Sequence, residues 1–278
     1  MRNTRIGFIG GGNMAASLIG GLVADNWSTD QIYVAEPDEG CRESLSSRFS
    51  IHTSHDNHSV VMASDILVLA VKPQVMRDVT TNLAEAVLRK RPLVVSIAAG
   101  VRMVDLSHWL GDYLSLVRCM PNTPAQVGSG ATALYADPSV DNAGRDMAET
   151  VMRAVGLALW VDNESQIDAV TALSGSGPAY FFYVMEAMEQ AGIELGLSRE
   201  TARLLTLQTA FGASKMALES SDSPRELRKK VTSPGGTTES ALTVLKEGQF
   251  KKLFAQTLNA ACERSKKLAT KLGQYTDE

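Results

Sequence analysis

The run Gly10-Gly11-Gly12-Asn13-Met14-Ala15 fits the pattern G-x-G-x-x-[G/A]. Each position has a physical task. Gly10 permits a tight turn, Gly12 lets backbone approach a pyrophosphate, and Ala15 allows a helix to pack closely on a sheet. The first turn of that helix offers free N–H groups and the positive end of its dipole. The run follows an apolar strand and precedes a second strand ending in Glu36, 21 residues beyond Ala15. A carboxylate there accepts hydrogen bonds from two ribose hydroxyls and repels a 2′-phosphate. The same position also suits a solvated acid ahead of Pro37. Because this turn can hold the adenosyl half of other cofactors, it does not by itself specify hydride transfer. Ala70-Val71-Lys72-Pro73-Gln74 and Ser96-Ile97-Ala98-Ala99-Gly100 close two further buried strands, where ligands of doubly wound sheets bind. Their small residues leave room for a flat ring. Ordinary turns and a solvated Lys72 are the competing reading.

Two more glycine-rich loops lie further along, Leu173-Ser174-Gly175-Ser176-Gly177-Pro178-Ala179-Tyr180 and Thr232-Ser233-Pro234-Gly235-Gly236-Thr237-Thr238-Glu239. The second combines exposed N–H groups, hydroxyls and a helix start, which makes a seat for a carboxylate or phosphate. The alternative is a capped connection with Thr237 or Thr238 as N-cap and Glu239 in the first turn. All four histidines, His52, His55, His58 and His108, precede this region. No histidine acid is therefore available from the second half. His52, His55 and His58 read as solvated loop residues, and no metal is expected. Cys119 lacks a base partner other than the distant His108 and reads as core. Asp65, Asp105 and Asp168 form no legible acid pair. Lys215 reads as a solvated or snorkelling helix residue.

The elements that must position these groups follow from periodicity. Apolar runs at Arg5–Ile9, Ile32–Ala35, Ile66–Val71, Leu93–Ile97, Leu116–Cys119, Ala131–Tyr135 and Leu157–Val161 read as strands, with a weak one starting at Ile51. Helical periods fall at Met14–Asp25, Arg42–Arg48, Val75–Leu88 and Val140–Val155. Alternating βα units of this length predict an α/β fold, a Rossmann doubly wound parallel sheet. Beyond residue 162 only helical periods remain: 167–173, 179–193, 199–218, 224–231, 240–245 and 253–272. The expected division is 1–162 for dinucleotide binding and 163–278 for an all-α domain.

The bulk numbers bound the rest. A net charge of −4 without a long basic block argues against nucleic acid. Three scattered cysteines argue against a disulfide framework or zinc knuckle and suit a reducing cytoplasm. No stretch reads as a signal peptide or membrane span.

Taken together, Phe8-Ile9-Gly10-Gly11-Gly12-Asn13-Met14, Ala70-Val71-Lys72-Pro73, Met120-Pro121-Asn122-Thr123-Pro124, Ser174-Gly175-Ser176-Gly177-Pro178-Ala179-Tyr180 and Val231-Thr232-Ser233-Pro234-Gly235-Gly236-Thr237-Thr238 resemble pyrroline-5-carboxylate reductase, in that family's order and over nearly the whole chain. The resemblance implies reduction of 1-pyrroline-5-carboxylate to L-proline by NADPH or NADH, the final step of proline synthesis. It also implies a C-terminal dimerisation domain and assembly to a decamer. Carried over by position, cofactor contacts fall on Gly10, Gly11, Gly12, Asn13, Met14, Glu36, Asn57, Ala70, Val71, Lys72, Pro73 and Ala98. Substrate contacts fall on Glu164, Ser233, Gly236, Thr237 and Thr238. Two positions depart from the family. Glu36 stands where many relatives hold a 2′-phosphate with serine, and Lys230 replaces an asparagine that some relatives present to a neighbouring subunit's substrate.

The implied chemistry needs little acid, because a protonated imine is already a cation that hydride neutralises. A dry, oriented pocket with one hydroxyl near the nitrogen suffices, and Thr238 is the expected contact, with the Gly236 and Thr237 amides expected at the carboxylate. Two other readings stay open. A β-hydroxyacid dehydrogenase relative would need a catalytic lysine, and a nucleotide sensor would bind cofactor without turnover.

Overall fold

The structure, a computed structural model, describes residues 4–273. Met1–Asn3, part of the N-terminal segment read as lacking a leader, lie outside the described residues. By contacts the chain forms two compact units, residues 1–176 with 260–278, and residues 177–259.

The first unit holds one eight-stranded sheet, in the order β3-β2-β1-β4-β5-β6-β7-β8. Its strands are β1 (Ile6–Ile9), β2 (Ile32–Ala35), β3 (His52–Ser54), β4 (Ile66–Leu69), β5 (Leu93–Ser96), β6 (Leu116–Met120), β7 (Gly130–Ala136) and β8 (Gly156–Trp160). The helices are α1 (Asn13–Ala24), α2 (Glu39–Phe49), α3 (Asn57–Ala63), α4 (Met76–Lys90), α5 (Met103–Trp109) and α6 (Asn142–Arg153). β1, β4 and β5 are buried at every position, as strands covered on both faces must be. One core layer joins Phe8, Val68 and Val95 to Leu18, Leu22 and Met152, and the other joins Leu67, Leu69 and Val94 to Met76, Leu83 and Leu106. Burying each such side chain contributes about 1.5–3 kcal/mol.

The sheet is doubly wound and mostly parallel, as expected, with one antiparallel pairing, between β7 and β6. The connection between them holds only a short 3-10 turn, Thr123–Val127. A parallel return requires a crossover of a dozen or more residues, and this link is too short to make one. α6 then restores a crossover, and β8 lies parallel to β7. α3 and α5, of seven residues each, fall where the pattern assigned no helix.

After β8 the chain is helical: α7 (Gln166–Val170), a π-helical turn (Thr171–Gly175), α8 (Gly177–Glu194), α9 (Arg199–Glu219), α10 (Pro224–Lys230), α11 (Thr237–Glu247) and α12 (Phe250–Gly273). The last strand ends close to the change of texture at residue 162, but the contact division lies later. α7, the π turn and the end of α12 pack with the first unit, partly through Ser265 Oγ, which lies 2.6 Å from Asp168 Oδ1. In the second unit α8 and α9 pack where Gly192 meets Ala202, and α10 opens with a capping box of Ser223 and Glu226. This unit buries little apolar surface of its own. Phe181, Phe182, Tyr183, Leu204, Leu205, Phe211 and Leu218 all stand exposed, Leu218 at 86%.

Candidate active site

The first unit brings together all the expected dinucleotide contacts. Because β1, β4, β5 and β6 run parallel in register, their carboxyl ends share one edge, and the strand order reverses between β1 and β4. Gly10 leaves β1 with φ +98°, and a Cβ there would lie 2.8 Å from the carbonyl oxygen of Ala70. Only glycine avoids both the strain and the clash. Gly12 has no atom within 4 Å of where its Cβ would be, so backbone lies open to a ligand. It is also the N-cap of α1, without a side-chain cap and without an acid in the first turn. The first helical bond runs from Ala16 N–H to Gly12 O at 2.9 Å, which leaves the Asn13, Met14 and Ala15 N–H groups without helical acceptors. A pyrophosphate fits this cradle chemically and sterically.

Glu36 is anchored. Its Oε2 accepts from Gly11 N–H at 2.8 Å and its Oε1 from Asp38 N–H at 3.1 Å. Each oxygen keeps lone-pair capacity for a ribose hydroxyl. Two neighbours that the sequence reading did not assign support it. Arg42 Nη1 donates to the carbonyls of Glu36 and Pro37 at 2.8 and 2.7 Å. Cys41 Sγ donates to Gly11 O at 3.3 Å, and burial together with the Glu36 and Asp38 charges pushes its thiol pKa up. The sequence held no signal for them, because the expected helix began only at Arg42, whereas α2 begins at Glu39. Asn57 opens α3, just past β3, where Asp56 caps the helix. Ala70 and Val71 follow β4, Lys72 is exposed, and Pro73 begins a 3-10 turn. Ala98, buried, follows β5.

In the second unit, Ser233, Gly236, Thr237 and Thr238 form the turn into α11. Gly235 adopts φ +73° and donates its N–H to Glu239 Oε2 at 2.7 Å. Of the two amides expected at the carboxylate, one is already engaged in the turn. Gly236 N–H closes the turn onto Ser233 O at 3.1 Å, and Ser240 N–H makes the first helical bond, to Gly236 O. The N–H groups of Thr237, Thr238 and Glu239 therefore have no helical acceptor. Neither threonine caps the helix. The N-cap is Gly236, without a side-chain bond, so both hydroxyls are spared for another partner.

Glu164 belongs to the first unit and already serves the fold. Its Oε1 accepts from Met103 N–H at 2.7 Å and from the buried Arg118 Nη1 at 2.8 Å. Only Oε2 is left for any substrate contact. The three aspartates considered for acid pairing each have structural partners: Asp65 with Arg5 and Lys90, Asp105 with Arg102, and Asp168 with Ser265. His52 stacks on Tyr33, and His52, His55 and His58 are exposed; among the described residues no cluster of three metal-ligating side chains occurs. Cys119 is fully buried, and desolvation holds its thiol protonated. Lys215 is exposed and faces Glu219 at 3.8 Å, as expected of a solvated helix residue. Lys230 pairs with Asp222.

Residues 164–268 match the family model for pyrroline-5-carboxylate reductase dimerisation, and residues 5–100 match that for NADP oxidoreductase, coenzyme F420-dependent. A pyrroline-5-carboxylate reductase of Pseudomonas aeruginosa is 52% identical over 99% of this chain and 100% of its own length. The solved pyrroline-5-carboxylate reductase of Coxiella burnetii superposes with a TM-score of 0.92 at 44% identity, covering 96% of this chain and 99% of that one. The Plasmodium falciparum pyrroline carboxylate reductase, crystallised with NADP bound, gives a TM-score of 0.85 at 29% identity, covering 97% and 99%.

Proposed function

The chain belongs to the pyrroline-5-carboxylate reductase family, and from that premise we propose how its residues carry the reaction. The activity is reduction of 1-pyrroline-5-carboxylate to L-proline with NADH or NADPH. The observation that carries the reading is the pair of prepared anion cradles, one at Gly10–Met14 and one at Ser233–Thr238, each with uncapped helical N–H groups.

When bound, the reduced nicotinamide supplies the hydride. Gly10, Gly11, Gly12, Asn13 and Met14 hold the pyrophosphate, Glu36 and Asn57 the adenosine side, and Ala70, Val71, Lys72, Pro73 and Ala98 the edge beyond β4 and β5. The Thr237 and Thr238 N–H groups receive the substrate carboxylate, assisted by Ser233 and the bare Gly236 backbone, and Thr238 Oγ1 accepts from the protonated ring nitrogen. Glu164, expected among the substrate contacts, keeps Oε2 for that role while Oε1 pairs with Arg118. The C=N π bond breaks, a C–H bond forms at its carbon, and the nitrogen keeps its proton, so no strong acid is needed.

We include in this proposal dimerisation through the helical half, decamer assembly, a functional division at 162/163 and residence in the cytoplasm. Among the described residues, no helix is long and apolar enough to cross a membrane. The test follows NADH and NADPH absorbance with and without pyrroline-5-carboxylate. Imine-dependent oxidation is expected; no turnover with either cofactor would refute the activity and favour a nucleotide sensor.

A further inference from the structure

Two sequence motifs carry no task in the chemistry above: Met120–Pro124, at the carboxyl end of β6, and Ser174–Tyr180, beyond α7. The structure ties them together. The π turn Thr171–Gly175 closes with a bond from Ser176 N–H to Thr171 O at 2.8 Å. The Ser174 carbonyl would ordinarily accept from the N–H four residues on, but that residue is Pro178, which has none. A carbonyl left without a donor is costly in a partly buried site. Asn122 provides the donor, with Nδ2 at 3.0 Å from Ser174 O. Its Oδ1 accepts from Ala131 N–H at 2.8 Å. Because that backbone N–H can only donate, the amide cannot flip. The turn also lies against β6, since a Cβ on Gly175 would come 2.7 Å from Met120 Cε.

We propose that Asn122 is a positioning residue for the reduction, clamping the π turn onto the carboxyl end of β6 and so fixing the wall of the nicotinamide half of the crevice. The location carries this. β6 ends on the same edge as Gly10, Ala70 and Ala98, and it lies on the β4-β5-β6 side of the switch point, opposite the side where Glu36 anchors the adenosine. Freed from the clamp, the turn shifts, and displacement of a ring by about 1 Å costs a hydride transfer about a hundredfold. The proposal rests on the dinucleotide reading given above.

Asn122→Ala removes both bonds. Asn122→Asp keeps the acceptor for Ala131 and loses the donor to Ser174. We expect both variants to lose kcat by about a hundredfold, with little change in KM for the imine. ADP-ribose affinity should stay at the wild-type value, NADH affinity should fall, and the Ser176 amide should exchange hydrogen faster. If Asn122→Asp keeps wild-type kcat, or if ADP-ribose and NADH affinities fall together, the clamp has no such role. If wild-type protein shows no imine turnover, the reaction assignment fails instead, and Ser176 exchange with the two affinities decides the clamp by itself.

Discussion

At the scale of single residues, the site is built mostly from backbone, and its few functional side chains can be tested one at a time. Thr238 Oγ1 is not used in capping α11, so Thr238→Val should leave the helix intact. Loss of a hydrogen bond to a charged group should lower kcat by about tenfold to a hundredfold; steady-state kinetics check this, and wild-type kcat would remove Thr238 from the reaction. Glu36 is held by two backbone amides and cannot easily swing away from an incoming 2′-phosphate. Glu36→Ser should therefore shift the kcat/KM ratio towards NADPH by about tenfold or more. An unchanged ratio would place Glu36 outside the adenosine pocket. Glu36 was visible in the sequence because an acid at a fixed distance after a glycine loop has a physical meaning. Arg42 and Cys41 were not, since each acts on backbone carbonyls whose positions exist only once α2 has docked. The engagement of the Gly236 N–H by Ser233 O was likewise hidden, because it depends on a turn hydrogen bond rather than on residue type.

At the scale of elements, long periodic segments announced themselves. The continuous apolar runs of β4 and β5 and the stripe of α4 needed no tertiary information. α3 and α5 span too few turns for a 3.6-residue period to show, and only docking on the sheet makes them helices. The antiparallel β7 follows from loop length rather than from strand composition, which reads the same in either direction. The start of β4 gives a prediction of its own. Desolvation is the largest influence on Asp65 and opposes its charge, but hydrogen bonds from Arg5 N–H and Lys90, with the Lys90 charge, outweigh it and hold the carboxyl below its ordinary range. A depressed carboxylate contributes stability above its unfolded pKa and loses it as pH falls through the folded one. Asp65→Asn should thus be less stable than wild type at neutral pH, with the gap closing as the pH falls below the ordinary carboxylate range. Urea unfolding across that range measures it; a gap independent of pH would contradict the assigned ion pairs.

At the scale of the molecule, the second unit has a polar seat but hardly any core of its own, and its apolar helices stand bare. Exposed apolar surface of this extent marks an association face, and the match to a dimerisation family places it on residues 164–268. Leu205→Glu with Phe211→Glu should split the assembly, as read by sedimentation, and wild type should run at ten times the 29.8 kDa chain mass if the decamer is right. Central to the account is direct transfer of a hydride to the imine carbon. The measurement closest to that claim supplies cofactor deuterated at the transferable C4 position together with pyrroline-5-carboxylate and reads the product by mass spectrometry and NMR. L-Proline carrying one deuterium at Cδ is the predicted result; unlabelled proline, or no proline at all, would contradict it.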